Sequence, residues 1–312
     1  MSGFIKFTKT ISHLIENIWL WFKYFFFFPF FSLFPYPFPY LLTRYLSRLD
    51  YLFNSTKKKS MQKWMVELLG HSHFSRKELD LATRRYFEVI YCDEIDNYIY
   101  QFGFSKSFIR RLKLEGEENL NEVLRSGSAV ILICYHFGGG FWILPFLKDR
   151  GVRVQFFSTD IKKEDYPSKR AFYFFHKLSN WVIGRMFGRK VSYKKEGKKN
   201  LLKALREGLW VSTAFDVPPC LVKEKVEVQF LSMQTKFPKG LISIARELNI
   251  PVLPFFSFLE NGIGRRICFE KPIYVKDEEA SVRECARLID RRIRERPDHW
   301  HMWPVADQFL LS

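Results

Sequence analysis

Residues 128–144, SAVILICYHFGGGFWIL, form the stretch of sequence that decides both the fold and the chemistry of this chain. Ala129–Tyr135 is a short, wholly apolar run, which predicts a strand buried on both faces. The run stops at His136, and a glycine turn leads to Phe141–Leu147, where apolar residues at helical spacing predict a helix. Glycine permits backbone conformations closed to other residues and lets a substrate approach the main chain closely. His136 is therefore a candidate base at the C-terminal edge of a sheet, although a structural role is also open, and the glycines beside it are Gly138, Gly139 and Gly140.

The composition points to an anionic partner. The 312 residues include 50 Lys and Arg against 33 Asp and Glu, a formal net charge of +17. Such a charge favours nucleic acid, an anionic membrane surface or an acidic protein. The 34 phenylalanines and an aromatic content of 18% favour a membrane, because much of the excess lies near the N-terminus. The five cysteines are scattered and lack CxxC spacing, which argues against a disulfide framework and against a zinc site, so we expect no metal.

The N-terminal segment is strongly apolar. Lys23 is the only charged residue between Glu16 and Arg44, and Ile18–Phe34 reads IWLWFKYFFFFPFFSLF. The length is marginal for a membrane span of about 20 residues, and tryptophan and tyrosine favour the membrane interface. A tilted or interfacial helix and a transmembrane helix both remain open at this point. We expect residues 1–44 to act as a hydrophobic membrane anchor and residues 45–312 to form the remaining domain.

The rest of the chain alternates between strand and helix patterns, which predicts an α/β fold. Besides the central strand, we expect strands over Val152–Phe157, Arg189–Tyr193, Leu209–Ala214, Val252–Phe258 and Ile267–Pro272. We expect helices over Leu41–Phe53, Met61–Leu69, 76–102 after a capping box at Ser75, Phe108–Leu114, Glu117–Ser126, Ser168–Phe187, Asn200–Glu207, Gly240–Leu248 and Ala280–Arg296. The predicted architecture is a single domain with a mixed, largely parallel central sheet flanked by helices, preceded by an N-terminal membrane-associated helix.

His136-Phe137-Gly138 within a strand–turn–helix resembles the His-Phe-Gly core of the lysophospholipid acyltransferase superfamily. The most similar branch is the bacterial lipid A biosynthesis acyltransferases of the lauroyl and myristoyl type. Further segments resemble this family in the same order along the chain, namely Gly184–Val191, Leu201–Val211 followed by Asp216, Gln229–Pro251 and Ile293–Trp300. The resemblance therefore covers most of the chain and implies a glycerolipid acyltransferase-like fold.

The resemblance implies transfer of a fatty acyl group from a thioester, on acyl carrier protein or coenzyme A, to a hydroxyl or amine of a lipid or glycolipid. It places the reaction at the cytoplasmic face of the bacterial inner membrane and requires no cofactor beyond the acyl donor. His136 would act as general base. The backbone N–H groups of the Gly138–Gly140 turn would stabilise the oxyanion. Arg185 and Lys239 are candidates, by matched position, to bind a substrate phosphate.

Phe141 departs from the family pattern, in which an Asp or Glu stands five residues after the histidine and orients it. Phenylalanine accepts no hydrogen bond from imidazole. Three explanations are open: Asp216, which follows a predicted strand, replaces the missing acid; a backbone carbonyl or water orients His136; or the chain kept the fold as a catalytically inactive lipid-binding protein. Asp216 also has an ordinary interpretation as a turn residue before Pro218.

A nucleic-acid-binding protein is the alternative from another functional class. The charge of +17 and the basic run 194–199, KKEGKK, would suit phosphate contacts. The sequence has no helix-turn-helix, zinc-finger or RNA-recognition motif, and this role leaves the apolar N-terminus without a purpose. We therefore expect a membrane partner and no nucleic acid.

Overall fold

A largely parallel sheet forms the centre of the computed structural model, which describes residues 14–70, 72–102, 105–158, 161–166, 169–193, 197–261 and 263–310. Seven strands of these residues pair in the order β1-β9-β8-β2-β5-β3-β4, and all neighbours are parallel except the antiparallel pair β8 and β9. These strands are β1 (Lys113–Glu115), β2 (Ile131–Cys134), β3 (Val154–Ser158), β4 (Ser192–Tyr193), β5 (Trp210–Ala214), β8 (Val252–Glu260) and β9 (Gly264–Phe269). The predicted α/β fold with a mixed, largely parallel sheet is confirmed.

Strand β2 lies in the middle of the sheet and is buried on both faces, as its apolar sequence predicts. Ile131 and Ile133 pack into one hydrophobic cluster, whereas Leu132 packs into a second cluster on the other face. All three side chains are fully buried. Successive side chains of a strand point to opposite faces, so an uninterrupted apolar run is what a sheet covered on both sides requires.

Helices surround the sheet. They are α1 (residues 14–32), α2 (Phe38–Phe53), α3 (Ser55–Leu69), α4 (Arg76–Gln101), α5 (Ser105–Ile109), α6 (Glu117–Ser126), α7 (Ile143–Asp149), α8 (Arg170–Phe187), α9 (Gly197–Arg206), α10 (Gly240–Leu248) and α11 (Glu278–Glu295). Helix α1 contains a π-helical stretch, Lys23–Phe27. Helix α4 begins with the predicted capping box, in which the Ser75 hydroxyl accepts from the Glu78 N–H and the Glu78 carboxylate accepts from the Ser75 N–H.

Helix α1 has one face in the protein and one face exposed. Lys23 is buried and forms an ion pair with Glu94 of α4 at 2.6 Å, and the Tyr24 hydroxyl donates to the same carboxylate. The opposite face exposes apolar side chains, namely Leu14, Ile15, Ile18, Trp21, Phe22, Phe25, Phe26 and Phe30. No helix in the described ranges is long and apolar enough to cross a membrane. Residues 1–13 of the predicted anchor lie outside the described residues.

Four segments differ from the expectations drawn from sequence. The helix predicted over Met61–Leu69 begins earlier, at Ser55, so the basic run 55–60 is helical. The helix predicted over Phe108–Leu114 is wrong, because the chain leaves the short α5 at Ile109 and enters β1, whose residues pair with β9. The sequence analysis also missed an antiparallel hairpin formed by β6 (Lys225–Phe230) and β7 (Met233–Pro238). It noted Ile293–Trp300 but did not predict the local structure there, where short 3₁₀ segments flank the buried Trp300, at Pro297–His299 and at Trp303–Phe309, which is kinked at Val305.

Candidate active site

His136 and Asp216 meet because their strands are parallel neighbours in register. Cys134, the last residue of β2, pairs with Ala214, the last residue of β5. Two residues beyond the end of each strand, the backbone reaches His136 after β2 and Asp216 after β5. Parallel strands end at the same edge of a sheet, so equal continuations place the two side chains together. The predicted position of His136 at the C-terminal edge of the sheet agrees with the structure.

The two residues are joined by hydrogen bonds from both the backbone and the ring. The His136 N–H donates to Asp216 Oδ1 at 2.8 Å, and His136 Nδ1 lies 3.1 Å from the same oxygen. Asp216 is fully buried and accepts a further hydrogen bond at Oδ2 from Trp300 Nε1 at 2.9 Å. A carboxylate that only accepts fixes the imidazole with its proton on Nδ1, which leaves Nε2 free to accept a proton. The side chain of His136 as a whole is 38% exposed.

The electrostatics of the pair favour the protonated imidazole. Burial lowers the pKa of His136, but the negative charge of Asp216 and the hydrogen bonds to it raise that pKa by more, so it lies above the ordinary value of 6.5. A base with this pKa is matched to proton transfer near neutral pH. The neighbouring Cys134 thiol differs, because burial and the charge of Asp216 raise its pKa to about 12. Cys134 therefore stays protonated and is a poor nucleophile.

The C-terminal segment holds the loop that carries His136. The His301 N–H donates to the His136 carbonyl at 2.7 Å, and the Gly138 N–H donates to the His299 carbonyl at 2.8 Å. Between these bonds, Phe137 and Trp300 form an isolated antiparallel bridge. The segment thus adds a short strand-like pairing to the loop and delivers Trp300 to Asp216.

The glycine turn packs too closely against its surroundings for larger residues at two of its three positions. Gly138 has a φ of +55°, and a Cβ there would overlap the carbonyl oxygen of Ser257. A Cβ on Gly139 would overlap the carboxylate of Asp93, whereas one on Gly140 would meet only the Phe255 ring, 3.8 Å away. Glycine is therefore required by φ and by space at Gly138, and by space at Gly139.

The turn offers fewer oxyanion donors than the sequence suggested. Because the Gly138 N–H is bonded to the His299 carbonyl, Gly138 is not free to donate to a substrate, and its proposed oxyanion role is corrected on this point. No hydrogen bond among the described residues uses the N–H of Gly139 or Gly140. These two groups remain candidates for stabilising negative charge on a substrate oxygen.

A buried ionic network packs against the glycine turn through Asp93. Asp93 of α4 lies 2.7 Å from the Arg265 guanidinium and 2.8 Å from Nε2 of His301. Arg265 also contacts Asp96 at 2.9 Å. His301 therefore binds the His136 carbonyl through its backbone and Asp93 through its ring. The sequence analysis missed this network, because its members lie on α4, β9 and the C-terminal segment and share no motif.

Phe141 belongs to the core and not to the histidine. Its ring packs edge-on against Tyr100 at 5.8 Å between centroids and against Trp142 at the same distance. It is partly buried between two hydrophobic clusters. The fifth residue after His136 is thus a packing residue, while Asp216 supplies the carboxylate beside His136.

The two cations predicted to bind phosphate have different settings. Arg185 is exposed near the end of α8, and its guanidinium lies 5.2 Å from the centroid of the Trp181 ring. Lys239 precedes α10, and its ammonium is paired with Glu278 at 2.9 Å. The Lys239 pKa is raised by the hydrogen bond and charge of Glu278. Among the described contacts, neither cation bonds to His136 or Asp216, so a phosphate role for either stays a prediction.

His176 is a further histidine that the sequence analysis missed. It lies on α8 against Phe172, with 4.3 Å between ring centroids. Burial and the charge of His136 lower the pKa of His176 to about 4, so it is neutral near pH 7. The spacing of α8 gives no signal for this placement, because the histidine sits within an aromatic run.

Fold and site define an α/β protein with a histidine held by a buried acid at the C-terminal edge of its sheet, an arrangement suited to general-base catalysis. Residues 164–304 match the family model of the bacterial lipid A biosynthesis acyltransferases. This segment contains Asp216 and Trp300, begins after His136 and spans less than half of the chain. The match supports the acyltransferase superfamily and a lipid acyltransferase activity.

The chain is similar to the crystal structure of the 1-acyl-sn-glycerophosphate (LPA) acyltransferase PlsC from Thermotoga maritima. The similarity covers 81% of this chain and 97% of the PlsC chain, at 16% sequence identity and a TM-score of 0.36. No curated protein matches the chain by sequence.

Proposed function

We propose that this protein is a membrane-associated acyltransferase that moves a fatty acyl group from a thioester to a hydroxyl or amine of a lipid or glycolipid, with His136 as general base. The observation that supports this most directly is the contact of 3.1 Å between His136 Nδ1 and the buried Asp216 carboxylate. It gives this chain the histidine–acid pair that Phe141 cannot provide. The donor is acyl carrier protein or coenzyme A in thioester form, and no other cofactor takes part.

In the proposed reaction, Nε2 of neutral His136 accepts the proton of the acceptor hydroxyl as its oxygen attacks the thioester carbon. The imidazolium that forms is stabilised by Asp216, which keeps the ring oriented. The tetrahedral intermediate collapses with cleavage of the carbon–sulfur bond, and His136 returns its proton to the departing thiolate. The products are the acylated lipid and the free thiol.

The negative charge that develops on the thioester oxygen needs donors that are already aimed. In this proposal the N–H groups of Gly139 and Gly140 supply them, since the Gly138 N–H is engaged by His299. Removing one such donor in a well-studied hydrolase lowers the rate by about 10² to 10³. The Asp93 carboxylate packs against Gly139 and thereby helps to hold these N–H groups in position.

The proposed location is the cytoplasmic face of a bacterial inner membrane. The exposed aromatic face of α1 is rich in the side chains that partition into the membrane interface. The net charge of +17 favours anionic lipid, with each basic residue near the surface contributing about 1 kcal/mol. An acceptor embedded in the membrane would thereby reach the site without leaving the bilayer.

The test is turnover by the purified protein. It should release free thiol from acyl coenzyme A or acyl carrier protein in the presence of a hydroxylated lipid, and the His136→Ala variant should lose at least about 10²-fold in rate. The matched control is His73→Ala, since His73 is exposed and far along the chain from the site residues. Turnover that is absent with every donor and acceptor, together with full function of His136→Ala in cells, would establish a catalytically inactive lipid-binding protein instead.

A further inference from the structure

Helix α8 presents a single exposed stripe in which basic and aromatic residues alternate. The positions are spaced by four, three, four and four residues, which places them on one face of a helix. Every one of them is exposed, whereas the opposite face is buried. This α8 stripe consists of Arg170, Phe174, Lys177, Trp181 and Arg185.

The apolar members of the stripe are large and well exposed. Phe174 is 43% exposed and Trp181 is 53% exposed. Phe174 also lies against Trp21 of α1, with 5.6 Å between the ring centroids. The stripe is therefore continuous with the exposed aromatic face of α1, and the two helices form one surface.

The charged members of the stripe have no acidic neighbours on their helix. Residues 170–187 contain no Asp or Glu. No ion pair in the described part of the chain involves Arg170, Lys177 or Arg185, and the Arg185 guanidinium lies over the Trp181 ring at 5.2 Å. Basic side chains that extend past aromatic rings are suited to a boundary between an apolar layer and anionic groups.

We propose that the α8 stripe is a second membrane-docking element, which binds an anionic lipid surface together with α1. This inference rests on the proposed function only in taking the membrane as the place of action. The alternation of Trp and Phe with Lys and Arg matches the composition of interfacial helices. An acidic protein would satisfy the cations of the stripe but would leave its continuity with the apolar face of α1 unexplained.

The consequence is a fixed orientation of the site relative to the bilayer. Helix α8 packs on β3, the parallel neighbour of β5, and the chain reaches Asp216 two residues beyond β5. A protein docked by both helices would therefore hold the site next to the lipid surface. A protein docked by α1 alone could pivot about that helix.

The test is sedimentation of the full-length protein with vesicles of phosphatidylcholine containing phosphatidylglycerol. Lys177→Gln should lower the partition coefficient about 5-fold, and Trp181→Ala should lower it about 10-fold. In vesicles of phosphatidylcholine alone, Lys177→Gln should bind like the wild type, whereas Trp181→Ala should still be weakened. The matched control is Arg125→Gln, an exposed cation of α6, which packs on β9 towards the other end of the sheet.

Two outcomes would overturn the proposal. If Lys177→Gln and Trp181→Ala bind anionic vesicles as tightly as the wild type, the stripe does not dock on lipid. If they bind vesicles normally but lose binding to acyl carrier protein, the stripe is a protein-docking surface. The result is separable from the proposed chemistry, because His136→Ala should keep vesicle binding while it loses turnover, and the stripe variants should keep turnover of lipid dispersed in detergent.

Discussion

His136 and Asp216 each lie two residues beyond a pair of aligned residues in neighbouring parallel strands. This symmetry lets the Asp216 carboxylate reach both the backbone N–H and Nδ1 of the histidine. In this chain the acid beside His136 follows the adjacent strand β5, while the fifth residue after the histidine, Phe141, packs against Tyr100 and Trp142.

The first prediction concerns the pair as a unit. We expect His136→Ala and Asp216→Asn each to lower the rate of acyl transfer by about 10² to 10⁴. His136→Ala removes the base, and Asp216→Asn removes the carboxylate that orients it. The double variant should be hardly slower than the slower single variant, since residues acting together are not additive. Single-turnover rates of thioester cleavage measure this. Fully additive losses would show that Asp216 acts independently of His136.

The second prediction is the pH dependence of acyl transfer. His136 works as a base only when neutral, and its pKa is raised above 6.5, so the rate should rise with pH through a value above 6.5. Asp216→Asn removes the charge that raises this pKa and leaves burial, which lowers it, so the rising limb should move to lower pH. Asp149→Asn changes an exposed acid and should leave the profile in place. An unchanged limb in Asp216→Asn would contradict the assignment of the pKa to His136.

The third prediction distinguishes two glycines of the same turn, Gly138 and Gly140, by their effect on stability. Gly138→Ala should lower the free energy of unfolding by about 3 kcal/mol, because it combines a positive φ with overlap at the Ser257 carbonyl. Gly140→Ala should change it by no more than about 1 kcal/mol, since its Cβ would meet only the Phe255 ring at 3.8 Å. Urea denaturation of the two variants measures the difference. Equal stability would mean that the turn relaxes freely.

The fourth prediction concerns Phe141, the fifth residue after His136. Phe141→Glu should fail to accelerate acyl transfer and should destabilise the fold by about 2–4 kcal/mol, because it puts a carboxylate among Tyr100 and Trp142. Phe141→Leu keeps an apolar side chain and should cost about 1 kcal/mol. Thermal unfolding and turnover rates together test this. A faster Phe141→Glu enzyme would show that the glutamate reaches His136.

The sequence was sufficient to predict the central strand and the position of His136, because the signals are local. An apolar run followed by histidine and glycines identifies a strand and its end without knowledge of any other element. Asp216 was named from the sequence as one candidate to replace the missing acid, since it follows a strand of the same type. Its pairing with His136 depends on which strands are neighbours, and that is visible only in the sheet order.

The remaining parts of the site depend on contacts across long sequence distances. Trp300 donates to Asp216 from 84 positions further along the chain, and Arg265 meets Asp96 across 169 positions. Neither contact has a spacing rule that would predict it. The prediction of a helix over Phe108–Leu114 was wrong for the same reason, because pairing of β1 with β9 overrides a weak local preference for helix.

The ion pair of 2.6 Å between Lys23 and Glu94 sets a limit on how this protein can be dissected. Cutting away α1 would leave Glu94 without its cation and would uncover Tyr91 and Tyr98 on α4, which pack against Phe28. A shortened chain would then be insoluble because core residues are exposed. A change in its lipid binding would therefore not report on the membrane contacts of α1. A water-soluble form is better sought by keeping the helix and replacing its outward-facing rings, such as Phe22 and Phe26, with polar residues.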